Sequence, residues 1–141
     1  MKLKSIVKNY YYLVVGILCV LFAYTHASNG ETTVLPFFEM VGENGNTKTI
    51  FYYVWHIITT ENLVFGIVLL TMAFYRNLSK VRFTALTIAI IMIVRWAVIF
   101  FFTIQSDSDS VSQIIPDTIA IFIIVILLLL GTRVKNKVER V

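Results

Sequence analysis

The sequence has little charge, one cysteine and two prolines among its 141 residues. Charged residues make up 14% of the chain and apolar residues 58%, whereas about 25% of an ordinary soluble domain is charged. A chain this small buries too little core to hide so many apolar side chains from water. The composition therefore excludes a soluble monomer and indicates that lipid covers the remaining apolar surface.

The single cysteine excludes several classes of protein. Cys19 cannot form an intramolecular disulfide, a Cys-x-x-Cys redox pair or a cysteine-based zinc site. Four-helix thiol oxidoreductases of the disulfide-forming type are thereby ruled out. The sequence also lacks a Gly-x-Ser-x-Gly motif, a P-loop, a Gly-x-Gly-x-x-Gly motif and paired carboxylates at hydrolase spacing. No catalytic motif indicates an enzyme, and whether the chain is one stays open.

Four long apolar stretches make up more than half of the sequence. Each is close to the ~20 residues of a spanning helix, and these spans 1 to 4 cover about residues 10–27, 52–75, 83–104 and 114–131. Turn-forming residues, including Asn29-Gly30 and Pro36, predict an outer loop over residues 28–51. A basic C-terminal tail covers residues 132–141. We therefore predict one all-α membrane domain, residues 1–141, with four transmembrane helices in an antiparallel bundle.

The basic residues predict the orientation. Lys48 lies in the predicted outer loop and Arg95 lies inside span 3, whereas the other ten of the twelve Lys and Arg residues flank the spans on one side. These are Lys2, Lys4, Lys8, Arg76, Lys80, Arg82, Arg133, Lys135, Lys137 and Arg140. The opposite side carries acidic loop residues: Glu31, Glu39, Glu43, Asp107 and Asp109. The positive-inside rule predicts cytoplasmic termini in a bacterial-type inner membrane.

The basic residues have two other interpretations. The net charge of +4 does not indicate nucleic-acid binding, because the basic residues lie at helix ends where they contact lipid headgroups. Residues 1–27 have the layout of a signal peptide, with Lys-rich residues 2–8, an apolar run and Thr25-His26-Ala27. Cleavage there would leave a three-span chain, and this alternative stays open.

Three charged residues lie inside the spans: Glu61, Arg95 and Asp117. Each costs at least ~2.5–3.5 kcal/mol near the bilayer centre, so each needs a partner or a function. Glu61 and Arg95 each lie about nine residues from the outer end of neighbouring spans, which predicts an ion pair near the midplane. The pair either fixes helix register or binds an anionic or proton-coupled ligand.

A second set of polar and aromatic residues is predicted near the outer surface. His26, His56 and Asp117 come from three spans, and Trp55 lies beside His56. Asp117 follows Pro116, so a simpler role is to favour the positive end of its helix. The two histidines lack His-x-x-x-His or Glu-x-x-His spacing, so neither a metal nor a haem site is assigned.

Span 2 also carries a stripe of small and polar residues: Thr59, Asn62, Gly66 and Ala73. Their spacing places them on one helical face, which predicts a helix–helix interface. Asn62 can instead join Glu61 in a polar cavity, and Trp96 is predicted to pack internally. The candidate ligand-binding residues are Glu61, Arg95, His56, Asn62, Asp117, His26, Trp55 and Trp96.

Spans 2 to 4 resemble the small DoxX-like four-helix membrane proteins. The residues that carry the resemblance are Glu61-Asn-Leu-Val-Phe-Gly66, the basic turn, Ile93-Val-Arg-Trp-Ala97 and Asp117, within about residues 56–131. The family pattern has a Gly before the span 3 Arg and an Arg near the span 2 acid, and this chain departs from both. The resemblance implies an integral membrane protein without a settled activity, sometimes associated with respiratory or redox systems.

His56-Ile-Ile-Thr-Thr-Glu61-Asn62 is also similar to helix 2 of the membrane-associated eicosanoid and glutathione enzymes. The Arg that precedes the His in those enzymes is absent here, as is their Tyr-rich Arg motif in helix 3. Their first loop is cytosolic, whereas the one here is acidic and predicted to lie outside.

We predict a small accessory or ligand-binding membrane subunit with a polar intramembrane pocket. The alternative is a transporter or membrane enzyme that acts on a lipophilic or quinone-like molecule. The expected partners are the lipid bilayer and either another membrane protein or a further copy of the chain. The sequence identifies no cofactor.

Overall fold

The chain is all-α in its computed structural model, which describes residues 6–40, 45–106 and 108–135. The five α-helices are α1 (Tyr10–Asn29), α2 (Leu35–Met40), α3 (Gly45–Ala73), α4 (Leu78–Ser106) and α5 (Ile115–Arg133). A π-helical turn over Gly30–Val34 joins α1 to α2, and a 3₁₀ turn over Ser108–Ile114 precedes α5. The predicted fold class is confirmed.

Among the described residues, four helical stretches are long and apolar enough to cross a membrane: Tyr10–Phe37, Gly45–Ala73, Leu78–Ser106 and Val111–Arg133. They contain 23 to 29 residues, or about 35–43 Å at 1.5 Å per residue, against a hydrocarbon core of ~30 Å. No more than 33% of the residues in the most apolar window of any stretch are buried inside the protein. By helix length and composition, the chain is therefore a small four-span membrane protein.

The prediction of an irregular loop over residues 28–51 is wrong for the described residues. The helix continues through Asn29-Gly30 into the π turn, where the Leu35 N–H donates to the Gly30 carbonyl, and α3 begins at Gly45. Gly30 is buried, and a β-carbon at this position would overlap with the Trp55 indole. Pro36 is the second residue of α2 and directly follows the π turn. Tertiary packing thus overrides the local turn signals.

Contacts divide the chain into two compact units, each described by itself. The central unit is Gly16–Leu70 and contains most of α1 and α3. In it, ideal β-carbons built on Gly16 and Gly66 would lie 2.9 Å from the Leu70 nitrogen and 3.0 Å from the Val20 nitrogen. Residue numbers rise along α1 as they fall along α3, so the two helices pack antiparallel. Their backbones approach closely, because small residues permit this in lipid.

The terminal unit comprises residues 1–15 and 71–141 and contains α4, α5 and the first residues of α1. Arg82 Nη2 donates to the Val134 carbonyl at 3.2 Å, and Trp96 Nε1 donates to Thr118 Oγ1 at 3.0 Å. The Asn9 amide donates to the Gly131 carbonyl at 2.8 Å. The order of these contacts shows that α4 and α5 pack antiparallel, with the start of α1 beside the end of α5.

Several residues used to predict the orientation lie outside the described residues. They are Lys2, Lys4, Glu43, Asp107, Lys137 and Arg140. The side chains of Glu39 and Asp109 are also outside the described part. The orientation therefore stays a prediction.

Candidate functional site

A groove runs along one face of α3 in the central unit, with a volume of about 640 Å³. Its polar lining consists of Tyr52, Tyr53, His56, Thr60 and Glu61, and its apolar lining of Ile57, Val64 and Phe65. These positions recur three and four residues apart, which places them on one side of a helix. The groove thus combines hydrogen-bonding groups with apolar surface inside a membrane-spanning segment.

Glu31, in the π turn, contacts two of the groove side chains of α3, Tyr52 and His56. The Tyr52 hydroxyl donates to Glu31 Oε1 at 2.8 Å, and His56 Nε2 lies 3.1 Å from the same oxygen. The second contact is a hydrogen bond when His56 carries a proton on Nε2. The Tyr52 and His56 rings also pack together, with centroids 4.6 Å apart. Because 52% of the Glu31 side chain is exposed, this cluster lies at the surface of the central unit.

Trp55 and His26 form a separate contact within the central unit. Their rings stack with centroids 4.2 Å apart and an interplanar angle of 5°. Trp55 Nε1 donates to the His26 carbonyl at 2.8 Å, close to the point where α1 gives way to the π turn. Neither residue lines the groove, so the structure gives this pair a role in joining α1 to α3.

Glu61 lines the groove, whereas its neighbour Asn62 does not. Asn62 is 6% exposed and Gly66 is buried. Gly66 lies on the contact with α1, which confirms the predicted helix–helix interface at that position. Adjacent residues on a helix point about 100° apart, so a cavity lined by both Glu61 and Asn62 is not formed by this groove.

Arg95, Trp96 and Asp117 belong to the terminal unit. Trp96 is half-buried and packs against Phe100 and Phe122, with ring centroids 5.2 and 5.0 Å away. Asp117 is exposed in the first turn of α5, the position at which a carboxylate favours the helix end. Within the described ranges, no three His, Cys, Asp or Glu side chains group in a way that could hold a metal ion.

The ion pair between Glu61 and Arg95 stays a prediction. Its two residues belong to different units, and the depth argument for it has changed. Because α3 begins at Gly45 rather than at about residue 52, Glu61 lies farther from the start of its helix than the nine residues that the prediction assumed. Helix bounds therefore no longer place the two residues at equal depths.

The sequence analysis missed four polar residues of this site. Glu31 was assigned only to the acidic loop residues, and Tyr52, Tyr53 and Thr60 were not among the candidate binding residues. All three lining residues lie within one turn of His56 or Glu61 on α3, so helical spacing from those two could have found them. Glu31 could not be found that way, because its position depends on the π turn.

Searches against protein-family models, curated proteins and solved structures found no match to the chain. The DoxX-like resemblance gains no support from them and stays a hypothesis. The helices and their contacts define the chain as a small four-span membrane protein with a mixed polar and apolar groove on α3.

Proposed function

We propose that the chain binds a lipophilic small molecule carrying a polar group in the α3 groove, as a ligand-binding or accessory subunit of the membrane. The observation that carries this proposal is the lining of the groove. The groove is open, has a volume of about 640 Å³, and is lined by residues of α3 alone. Small-molecule sites combine apolar contact surface with polar groups that fix the ligand's orientation. Here aromatic rings and aliphatic side chains supply the surface, and His56, Thr60 and Glu61 supply polar groups.

The exposed part of the groove supports entry from lipid. Ile57 is 61% exposed and Val64 50% exposed, and both lie in the membrane-spanning stretch Gly45–Ala73. A molecule dissolved in the bilayer can reach such a groove without crossing water. Its apolar body would contact Ile57, Val64 and Phe65, and its polar group would reach Thr60 or Glu61.

We further propose that both termini face the cytoplasm, so that Glu31 lies on the outer side. The support is the sorting of basic residues, of which Lys48 lies near one end of α3 and Lys80 near the start of α4. Cysteine introduced at Lys48 should react with an impermeant maleimide in intact cells, and cysteine at Lys80 only after permeabilisation. Reaction of both from the same side would overturn the orientation.

The ligand-binding proposal is tested by filling the groove. Val64 lines it, whereas the adjacent Leu63 is 41% exposed on α3 but does not line it, so Val64→Trp and Leu63→Trp form a matched pair. The probe is a hydroxymethyl-bearing aryl diazirine, a small neutral lipophilic photolabel. Cross-linked peptides are mapped by mass spectrometry, with and without excess unlabelled aryl alcohol.

We expect competable labelling within residues 52–65 of the unchanged chain. Val64→Trp should reduce this labelling severalfold, and Leu63→Trp should leave it unchanged. Labelling that is not competed by the aryl alcohol, or that falls equally in both variants, would show that the probe reports general lipid exposure and would refute the groove as a binding site.

A further inference from the structure

We infer that the α3 groove selects lipophilic cations over neutral and anionic molecules of the same shape. This inference rests on the proposed function, since it names the ligand class of the same groove. The observation behind it is the balance of charge around the lining. Glu61 is a lining carboxylate, and no Lys or Arg is among the described residues that line the groove.

His56 and Glu31, which are in contact beside the groove, do not reverse this balance. His56 is the one lining residue that can gain a positive charge near neutral pH, and it lies 3.1 Å from the Glu31 carboxylate. A protonated His56 and an ionised Glu31 sum to zero, whereas a neutral His56 leaves Glu31 as a second negative charge. In either state the group of Glu31, His56 and Glu61 is net negative while both carboxylates are ionised.

The aromatic lining favours the same sign of charge. Tyr52, Tyr53 and Phe65 all line the groove, and aromatic faces attract cations through their quadrupole, the more strongly where water is excluded. Their rings also supply apolar contact for the body of the ligand. An anion would meet the Glu61 carboxylate with unfavourable electrostatics.

Glu61 can serve a ligand while it also contacts another residue. A carboxylate has two oxygens and about four lone-pair sites, so one partner does not exhaust it. A carboxylate within a membrane span is costly unless it is paired. A bound cation would add a compensating charge, and the low-dielectric surroundings would strengthen that attraction.

The test compares two probes of matched shape and opposite charge. Tetraphenylphosphonium and tetraphenylborate each carry four phenyl rings around one central atom. Saturable binding of each probe to the purified full chain in mild detergent is measured by equilibrium dialysis. The variants are Glu61→Gln, Glu61→Asp and Val64→Trp, with Leu63→Gln as the control because Leu63 is exposed on α3 and does not line the groove.

We expect tetraphenylphosphonium to bind about tenfold or more tightly than tetraphenylborate. Glu61→Gln should remove about tenfold of that affinity, Glu61→Asp should retain most of it, and Leu63→Gln should not change it. Val64→Trp should abolish binding. Glu61→Asp keeps the test decisive if Glu61→Gln does not fold, because a folded Asp variant with lost affinity would contradict a purely charge-based preference.

The outcomes separate this inference from the proposed function. If Val64→Trp blocks both probes equally and Glu61→Gln changes neither, the groove binds lipophilic molecules without regard to charge, and only the cation preference is overturned. If neither probe binds and the neutral diazirine labels without competition, the proposed function fails as well.

Discussion

The terminal and central units use their polar side chains in different ways. In the terminal unit, the Asn9 amide is 1% exposed and donates to the Gly131 carbonyl, while the backbone N–H groups of Lys8 and Asn9 donate to the Ala73 carbonyl. In the central unit, the cluster of Glu31, Tyr52 and His56 is exposed beside a groove. The polar groups of the terminal unit donate to backbone carbonyls, whereas the side chains of Glu31, Tyr52 and His56 remain accessible.

This difference separates structural from functional polarity in a membrane chain. A helix end in or near lipid has carbonyls without intrahelical partners, and each unsatisfied group is expensive there. The buried Asn9 amide gives the Gly131 carbonyl, which already accepts from the Val134 N–H, a second donor. Side chains that bond to one another across an exposed surface, as Tyr52 and His56 do through Glu31, can exchange those bonds for a ligand.

The largest effect should come from the glycine contact of the central unit. Gly66→Leu places a side chain where an added β-carbon would already lie 3.0 Å from the Gly16 carbonyl oxygen and 2.6 Å from a Val20 methyl. Helices α1 and α3 must then separate, at a cost of about 3 kcal/mol or more. The free energy of unfolding is measured by SDS titration in mixed micelles.

Gly45→Leu is the matched control for Gly66→Leu. Gly45 begins the same helix, and a β-carbon there meets nothing within 4 Å. It should leave stability unchanged or raise it, because leucine has the higher helix propensity. Equal destabilisation by the two variants would contradict close packing at Gly66.

The next largest effect should come from Asn9 in the terminal unit. Its Oδ1 accepts from the N–H groups of Tyr11 and Tyr12 at 3.1 and 3.3 Å, and its amide bonds to Gly131. Asn9→Ala removes both the N-cap of α1 and a buried hydrogen bond, at a cost of about 2 kcal/mol in total. The same SDS titration measures it, with the exposed Asn29→Ala as control. A loss no larger than that of Asn29→Ala would refute the role of Asn9.

Hydrophobicity alone predicted most of the fold. The four spans follow from apolar stretches near the length of a bilayer crossing, and those signals survive errors of several residues at the ends. The helix–helix contact at Gly66 was also predictable, because small residues at helical spacing mark close approach. Asn9 was missed although an Asn before an apolar run is a helix-start signal. Hydropathy locates a span by its apolar residues and therefore leaves out a polar residue such as Asn9 at its start.

The site was less predictable than the fold, for a physical reason. Glu31 lies 21 residues before Tyr52 and 25 before His56 in sequence, so their contact depends on how α1 ends. Local rules interpret Asn29-Gly30 as a turn, but Gly30 instead gives space to the Trp55 indole. A single long-range contact thus changes the secondary structure on which the position of Glu31 depends.

The two tryptophans offer the smallest and most direct comparison of the units. Trp55 Nε1 donates to the His26 carbonyl, and Trp96 Nε1 donates to the Thr118 hydroxyl. Phenylalanine keeps an aromatic ring for stacking but removes the donor. Trp55→Phe removes a hydrogen bond to a backbone carbonyl and should cost about 1 kcal/mol. Trp96→Phe should cost less, because Thr118 already donates to the Ile114 carbonyl at 2.8 Å and loses only one accepted bond.

Each of these variants leaves one tryptophan, so its fluorescence follows one unit during unfolding. The SDS titration of the two variants is therefore also a test of whether the units unfold together. An equal loss of stability in both variants, or a larger loss in Trp96→Phe, would contradict the prediction that the Trp55 hydrogen bond stabilises the protein more than the Trp96 hydrogen bond does. A larger loss of stability in Trp55→Phe would show that the stronger of the two hydrogen bonds lies near the π turn that carries Glu31, and so near the groove.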